Sequence, residues 1–420
     1  MARKESRLWS SSISSARRSR RATDVMAATI WVSAGDASGD TIAADLIRAL
    51  AKARPGTRFV GLGGPEMAAA GLERFADQEA LAVGGLFEWI PSLGRIAGIW
   101  RRVIRGLRAT RPQLVIVVDS GGFHLPFMRV ARLFCDAPIL YYVAPQVWVW
   151  RAGRVRRIAA RADRIAVVWP FEPAFWAERG VETDFVGHPI LDRDVAQRPA
   201  EDARRVARAG LGLDPDRPLI GLFPGSRRNE LLRHLPPMVA ALAQLQEARP
   251  DLDAVLVRAP SVDPERIRGL LAEAGAGVDT GARVRVVGAE PAWLDAIDVG
   301  LTKPGTITLE LMLRERPMVV VGRAHPLSVA LVGRSFAGTP VALPNWIAED
   351  EIVPELLQDE VTPDRIAAGL GPLLPDTNGP SPVATAQVEA LRRARARLGE
   401  PGASQRAARI AEEMLGPDRA

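Results

Sequence analysis

Apolar and polar positions alternate in blocks along this chain, and the blocks predict one recurring unit: a short apolar run, a glycine-bearing loop, then helical periodicity. Thr29 to Ser33 is a β-rich run that stops at Gly35-Asp36-Ala37-Ser38-Gly39-Asp40, and a helical pattern continues from Thr41 to about Lys52. Further strands are predicted at Arg58 to Leu62, before Gly63-Gly64-Pro65, at Leu114 to Val118, ending at Asp119, and at Ile139 to Val143, ending at Ala144-Pro145. The chain turns polar around Leu191 to Pro199, and the expected domain boundary lies there, dividing 28-192 from 193-420. A second series follows: strand Pro218 to Phe223, a helix from about Glu230 to Ala248, and strands at Ala254 to Val257, Val284 to Val287, Val299 to Thr302 and Met318 to Val321. Two helical stretches flank the Pro- and Gly-rich sequence from Pro372 to Pro382. Such alternation predicts an α/β fold with parallel sheets covered on both faces, in which ligands bind beyond the carboxyl ends of the strands.

One segment has a different pattern. Ile96, Ile99, Trp100, Val103, Ile104 and Leu107 form an apolar stripe, and Arg95, Arg101, Arg102, Arg105 and Arg108 fill the opposite face, just after Leu86, Phe87, Trp89 and Ile90. Two readings fit: a core-packing helix with a solvated arginine face, or an interfacial helix that dips its apolar stripe among acyl chains while arginines meet anionic head groups. Arg151, Arg154, Arg156, Arg157 and Arg161, after Trp148 and Trp150, could face the same surface.

With 420 residues and 47% hydrophobic content, the chain fits a two-domain globular protein and excludes disordered and fibrous classes. Cys135 is the only cysteine, which fits a reducing compartment, and it is expected to be a small buried hydrophobe. The formal charge of +6 comes mostly from residues 1–27, where Arg3, Lys4, Arg7, Arg17, Arg18, Arg20 and Arg21 face only Glu5 and Asp24. The body is therefore nearly neutral, which argues against a nucleic-acid partner. That leader has no apolar h-region, so it reads either as a basic disordered arm or as a start-site artefact with Met26 as the first residue. No run reaches the ~18 to 20 apolar residues of a membrane span.

The candidate chemistry sits in the loops. In Leu222-Phe223-Pro224-Gly225-Ser226-Arg227-Arg228-Asn229-Glu230 an apolar strand stops at a Gly-Ser-Arg turn before a helix, a pattern that suits a phosphate: glycine allows close approach, the helix start offers N–H groups, and Arg227 supplies a fork of donors. Gly305-Thr306 opens a second such helix, and Glu310, one turn on, can accept two ribose hydroxyls. Asp119, at the end of an apolar strand, is the candidate base for an attacking hydroxyl, with a turn or cap aspartate as the alternative. Asp36 and Asp40 compete for that role, and Asp40 is expected to cap the helix that follows it. His188, in Gly187-His188-Pro189, either touches a ligand or orders a hinge. Asp192-x-Asp194, Asp214-x-Asp216 and Asp251-x-Asp253 have diphosphate–metal spacing but fall in polar turns and read as solvated. With 4 histidines and one cysteine, neither a metal nor a cofactor is expected.

Ser33-Ala34-Gly35-Asp36-Ala37-Ser38-Gly39-Asp40, Gly63-Gly64-Pro65-Glu66-Met67, Tyr142-Val143-Ala144-Pro145-Gln146-Val147-Trp148-Val149-Trp150, Gly187-His188-Pro189, Pro224-Gly225-Ser226-Arg227, Gly305-Thr306 through Glu310, and Leu343-Pro344-Asn345 with Pro354-Glu355-Leu356-Leu357-Gln358 together resemble the lipid-A-disaccharide synthase family, in that family's order. The resemblance implies a GT-B type α/β fold, two Rossmann-like parallel-sheet domains facing across a cleft, the first acceptor- and membrane-facing and the second UDP-sugar-binding. It implies an inverting transfer from UDP-2,3-diacylglucosamine to 2,3-diacylglucosamine 1-phosphate on the cytoplasmic face of the inner membrane, with a homodimer left open. It makes Asp119 the catalytic residue and places Gly225, Ser226, Arg227, Glu230, Gly305, Thr306, Glu310, Asn345 and Gln358 on the nucleotide side. Gly35, Asp36, Ser38, Gly39, Pro145, Gln146 and His188 fall on the acceptor side, and Trp89, Ile96, Ile99, Trp100, Val103, Arg101 and Arg105 are expected at the membrane.

The chain departs from the family after Asp119, where Gly121-Gly122-Phe123-His124 stands in place of Pro-Asp-Phe-Asn, so a second carboxylate and an asparagine are missing. Pro304-Gly305-Thr306 replaces Ser-Gly-Thr, and Asp36 replaces a glutamate. These departures leave open another acceptor lipid, a UDP-sugar epimerase of the same architecture, or a UDP-sugar- or lipid-binding protein that has lost its chemistry.

Overall fold

The apolar runs become strands buried on both faces, as in Leu114–Val118, every residue of which is inaccessible to solvent. A computed structural model describes residues 28–78, 89–145, 147–148, 152–193, 200–260, 262–275, 282–324, 339–376 and 379–416. The first sheet contains β1 (Thr29–Ala34), β2 (Arg58–Gly63), β3 (Leu72–Asp77), β4 (Leu114–Val118), β5 (Ile139–Tyr142), β6 (Arg164–Val167) and β7 (Asp184–Phe185), in the order β3-β2-β1-β4-β5-β6-β7. The second contains β8 (Leu219–Phe223), β9 (Asp253–Val257), β10 (Arg285–Val287), β11 (Val299–Thr302), β12 (Met318–Gly322) and β13 (Glu355–Leu357), in the order β10-β9-β8-β11-β12-β13. Every strand pairing in both sheets is parallel. Strand order reverses between β1 and β4 in the first sheet and between β8 and β11 in the second. A parallel sheet opens a crevice for ligands at such a switch point.

The amphipathic segment forms the helix Trp89–Thr110, and its described part is a core helix. Ile99, Val103 and Leu107 are fully buried in one cluster with Trp31, Val60, Leu62 and Val117, and Gly106 lets the helix approach the Trp31 and Phe75 rings. This corrects the expectation that Ile99 and Val103 insert among acyl chains, because the sheet already covers them. Trp100 is half-buried against Phe123, at a ring separation of 5.2 Å. Arg101, Arg102, Arg105 and Arg108 are exposed on the opposite face. The side chains of Trp89 and Ile96, and the whole of residues 1–27, lie outside the described residues. Among the described residues no helix is long and apolar enough to cross a membrane.

The last helix, Ala403–Leu415, packs against Ala37–Ala53 of the first half, whereas the sequence reading placed the C-terminal helices with the second. Its Ala407, Ala408 and Ala411 are buried and allow close approach. Asp192 holds the start of that helix by accepting from the amides of Gly402 (2.5 Å), Ala403 (3.1 Å) and Ser404 (3.0 Å), so it is a helix cap and not a solvated linker residue. Asp194 is outside the described residues. Asp214 closes a local turn on the Asp216 amide, while Asp251 and Asp253 pair with Arg249 and Arg217. Cys135 is only half-buried, its Sγ donating to the Ala131 carbonyl at 3.3 Å. The two halves also meet through aromatic rings: Trp346, from the short helix Leu343–Ala348, stands 4.4 Å from Trp148 and 5.6 Å from Phe171.

Candidate functional site

The first cluster of candidate residues lies at the switch point of the first sheet. The loops after β1 and β4 touch there so closely that a Cβ on Gly35 would fall 2.1 Å from Ser120 Oγ. Asp36 caps the helix Ala37–Ala53 by accepting from the Gly39 amide at 2.8 Å. Asp40 does not cap its own helix as expected: it lies in the first turn, buried, and accepts from the amides of Gly64 (2.8 Å), Glu66 (3.0 Å) and Met67 (3.2 Å), capping the short helix Pro65–Ala69. That removes Asp40 as a base and leaves it bracing the neighbouring loop. Ser38 is exposed beside Asp36.

Asp119 follows β4 in the left-handed backbone region, φ 51°, and Ser120 follows it there at φ 47°. Its Oδ1 accepts from the Ser120 amide at 2.7 Å. Burial, with the negative charge of Asp36 nearby, pushes its carboxyl up to about 6, and the Ser120 hydrogen bond only partly opposes this. A carboxylate tuned in this way is suited to proton abstraction near neutral pH. His124, in the first turn of the helix Gly121–Phe134, is fully buried with Nδ1 2.7 Å from the Asp119 carbonyl and Nε2 3.0 Å from Ser33 Oγ. Tyr141 donates its hydroxyl to the same carbonyl at 3.0 Å. Gly121 packs closely, since a Cβ would meet Pro145 at 2.8 Å, whereas no described residue lies within 4 Å of a Cβ on Gly122. Among the described residues, the position where the family carries its second carboxylate is therefore open. Gln146 lies outside the described residues.

His188 is engaged within its own loop. Its Nδ1 accepts from the Ile190 amide at 3.2 Å, its ring packs 4.5 Å from Trp169, and burial lowers it to about 3.

The second cluster lies at the switch point of the second sheet. Gly225, at φ 117°, turns the chain from β8 into the helix Arg228–Ala248, and a Cβ there would meet Glu230 Oε2 at 2.4 Å. The expected phosphate turn already holds an anion of its own: Glu230 Oε2 accepts from the amides of Ser226 (3.0 Å) and Arg227 (3.2 Å). Glu230 Oε1 receives Lys303 Nζ at 3.3 Å. Although burial acts the other way, Lys303 and the two amides hold this carboxyl below its ordinary range. Arg227 is exposed at the mouth of the loop. Lys303 immediately precedes Pro304-Gly305, with Gly305 at φ 148° opening the helix Thr306–Leu313. Glu310 sits one turn in; burial raises its carboxyl against the pull of Arg314, 3.9 Å away, and of Arg193.

Two motif residues differ in what they do. Asn345 is buried and fully engaged: Nδ2 donates to the Val353 carbonyl (2.9 Å) and Glu355 Oε1 (2.8 Å), and Oδ1 accepts from the Ile352 and Val353 amides, both at 2.9 Å. It pins its helix to β13, and all four side-chain hydrogen bonds go to the fold, where the sequence reading expects a nucleotide contact. Gln358, at φ 52°, accepts from the Ala324 amide at 3.3 Å just beyond β12. His234 joins this group, accepting from the Arg323 amide at 3.0 Å through Nε2. Sequence reasoning missed Lys303, His234 and the pairing of Ser33 with His124. Lys303 had a visible signal, as a lysine between a strand and a Pro-Gly helix start, while the others depend on long-range proximity.

A family model described as lipid-A-disaccharide synthetase matches residues 30–411. The lipid-A-disaccharide synthase of Anaeromyxobacter sp. (strain K) is 41% identical over 389 residues, covering 92% of this chain and 97% of its own. Two solved structures share the fold across both sheets. The UDP-GlcNAc 2-epimerase of Neisseria meningitidis bound to UDP-GlcNAc has TM-score 0.60 at 11% identity, covering 92% of this chain and 99% of its own. A calicheamicin glycosyltransferase has TM-score 0.54 at 17% identity, covering 94% and 100%.

Proposed function

The chain belongs to the lipid-A-disaccharide synthase family, a family of GT-B hexosyltransferases of lipid A biosynthesis, and from that premise we propose how its own residues carry the transfer. The donor is UDP-2,3-diacylglucosamine and the acceptor 2,3-diacylglucosamine 1-phosphate, with the first sheet serving the acceptor and the second the donor. Asp119 takes the proton from the acceptor's primary hydroxyl through its second oxygen, the first being held by Ser120. The hydroxyl oxygen forms a bond to the anomeric carbon as the carbon–oxygen bond to UDP breaks, the diphosphate leaving with the electron pair and the anomeric centre inverting. Arg227, Lys303 and the helix start at Gly305-Thr306 meet the charge that grows on the diphosphate, and Glu310 takes the ribose hydroxyls. Gly35, Asp36, Ser38 and Gly39 line the acceptor side.

The observation that carries this reading is the placement of Asp119 at the β1/β4 switch point, with a carboxyl raised to about 6. The likeness to an epimerase is one of fold only. Association with the cytoplasmic face of the inner membrane is peripheral in this reading and uses the exposed arginines Arg101, Arg102 and Arg105, because Ile99, Val103 and Leu107 on the opposite face belong to the core.

Incubation with UDP-2,3-diacylglucosamine and a panel of acyl-sugar phosphates, read by UDP release and by mass spectrometry of the lipid product, tests the reading. A disaccharide formed by the parent and lost on the order of 10²-fold in Asp119→Ala is expected. UDP binding with no turnover on any acylated acceptor would sink it.

A further inference from the structure

His124 has no step in the transfer, yet it is fully buried between the two loops that build the acceptor side. It is enclosed by Phe123, Phe127 and Tyr141, with ring separations of 5.5, 6.2 and 6.3 Å, and both ring nitrogens have partners. The Asp119 carbonyl can only accept, so Nδ1 carries the hydrogen and Nε2 accepts from the Ser33 hydroxyl. Burial lowers the ring to about 4, and the Asp119 carbonyl opposes this only in part, so the imidazole is neutral in the working range. Tyr141 places a second donor on that carbonyl. Asp119 and Ser120 are consecutive non-glycine residues with positive φ, a conformation that surrounding contacts must impose.

We propose that His124 is a positioning residue for this reaction: with Tyr141 it clamps the Asp119 carbonyl, fixes the left-handed turn, and so aims the Asp119 carboxylate at the acceptor hydroxyl. The inference rests on Asp119 being the base. It also accounts for a departure in the sequence, since His124 stands where the family carries asparagine, a side chain whose N–H groups can serve the same carbonyl. The polar and charged groups facing the pair are Ser33 on β1, Asp36 across the loop and the Tyr141 hydroxyl on β5, which itself feels Arg154.

The test compares His124→Ala, His124→Asn, Tyr141→Phe and Asp119→Ala in the full-length protein, measuring kcat, KM, UDP affinity by calorimetry, and the pH profile. His124→Ala should lower kcat about tenfold or more with KM and UDP affinity within about twofold, and the acid limb should move below about 6 as water enters beside the carboxyl. His124→Asn should recover most of the rate. A folded His124→Ala with near-normal kcat overturns the inference, as does a His124→Asn variant no better than alanine. If His124→Ala does not fold, Tyr141→Phe decides: a lower kcat with a shifted acid limb supports the clamp, and an unchanged profile overturns it. Normal turnover in Asp119→Ala removes the base assignment and this inference with it, whereas an inactive Asp119→Ala beside a normal His124→Ala removes the inference alone.

Discussion

Lys303 Nζ lies 3.3 Å from Glu230 Oε1, joining the loop after β11 to the first turn of the helix after β8 at the switch point of the second sheet. Glu230 meanwhile fills the amide pocket of Ser226 and Arg227. The turn therefore stores an internal carboxylate where a phosphate was expected, and Lys303 is the nearby cation that a diphosphate can share. Lys303→Met should weaken UDP binding about tenfold by removing one charge-assisted contact, measured by calorimetry. Unchanged affinity would remove Lys303 from the donor site.

Asp119 ties activity to pH in one direction and stability in the other. Its folded carboxyl sits at about 6 against an ordinary 3.8. The proposed base acts in its ionised form, so kcat/KM should fall about tenfold per pH unit below that point. Between the two values the folded state holds a proton that the unfolded state has released, so stability declines as pH rises through this window and the penalty is complete at pH 7. Asp119→Asn keeps the shape, tolerates the left-handed backbone and carries no charge. It should lose ~10²-fold or more in turnover while melting about 2–4 °C higher at pH 7, with the gain vanishing near pH 4, as followed by thermal scans across pH.

The sequence revealed the central strands because residues such as those of Leu114–Val118 are buried on both faces and leave an unbroken apolar run. It missed β3, whose Leu72-Glu73-Arg74-Phe75-Ala76-Asp77 is polar because the strand lies at the edge of the sheet. The loops that carry the candidate site were legible from glycine placement and motif order. Side-chain duties were not: Asn345 sits in a family motif, yet its four hydrogen bonds all go to its own fold. Likewise the stripe through Ile99 and Val103 has the same period whether a sheet or a lipid covers it, and only the packing against Trp31 and Val60 decides.

Asn345 consequently makes a prediction opposite to that for a ligand residue. Asn345→Ala removes four hydrogen bonds at once and leaves the buried Val353 amide without its Oδ1 acceptor, while Glu355 keeps the Val341 and Ala342 amides; it should cost about 2–4 kcal/mol of stability. UDP affinity of the protein that remains folded should stay within about twofold. Denaturant titration alongside calorimetry separates the two effects, and a stable variant with lost UDP binding would restore the nucleotide assignment.

The helix Trp89–Thr110 separates core from surface within one element. Val103 is inaccessible and packed beneath the first sheet, so Val103→Asp buries an unpaired carboxylate and should abolish recovery of folded protein. Arg101 and Arg105 are exposed on the other face, where substitution leaves the core untouched. If the arginine face meets anionic head groups, each charge contributes roughly 1 kcal/mol near the bilayer surface. The double variant Arg101→Glu, Arg105→Glu should then bind phosphatidylglycerol vesicles at least about tenfold more weakly at moderate salt, with an unchanged melting temperature and unchanged turnover on detergent-dispersed substrate. Sedimentation with vesicles of graded anionic content measures this, and equal binding by parent and variant would show that the arginines do not form the contact surface.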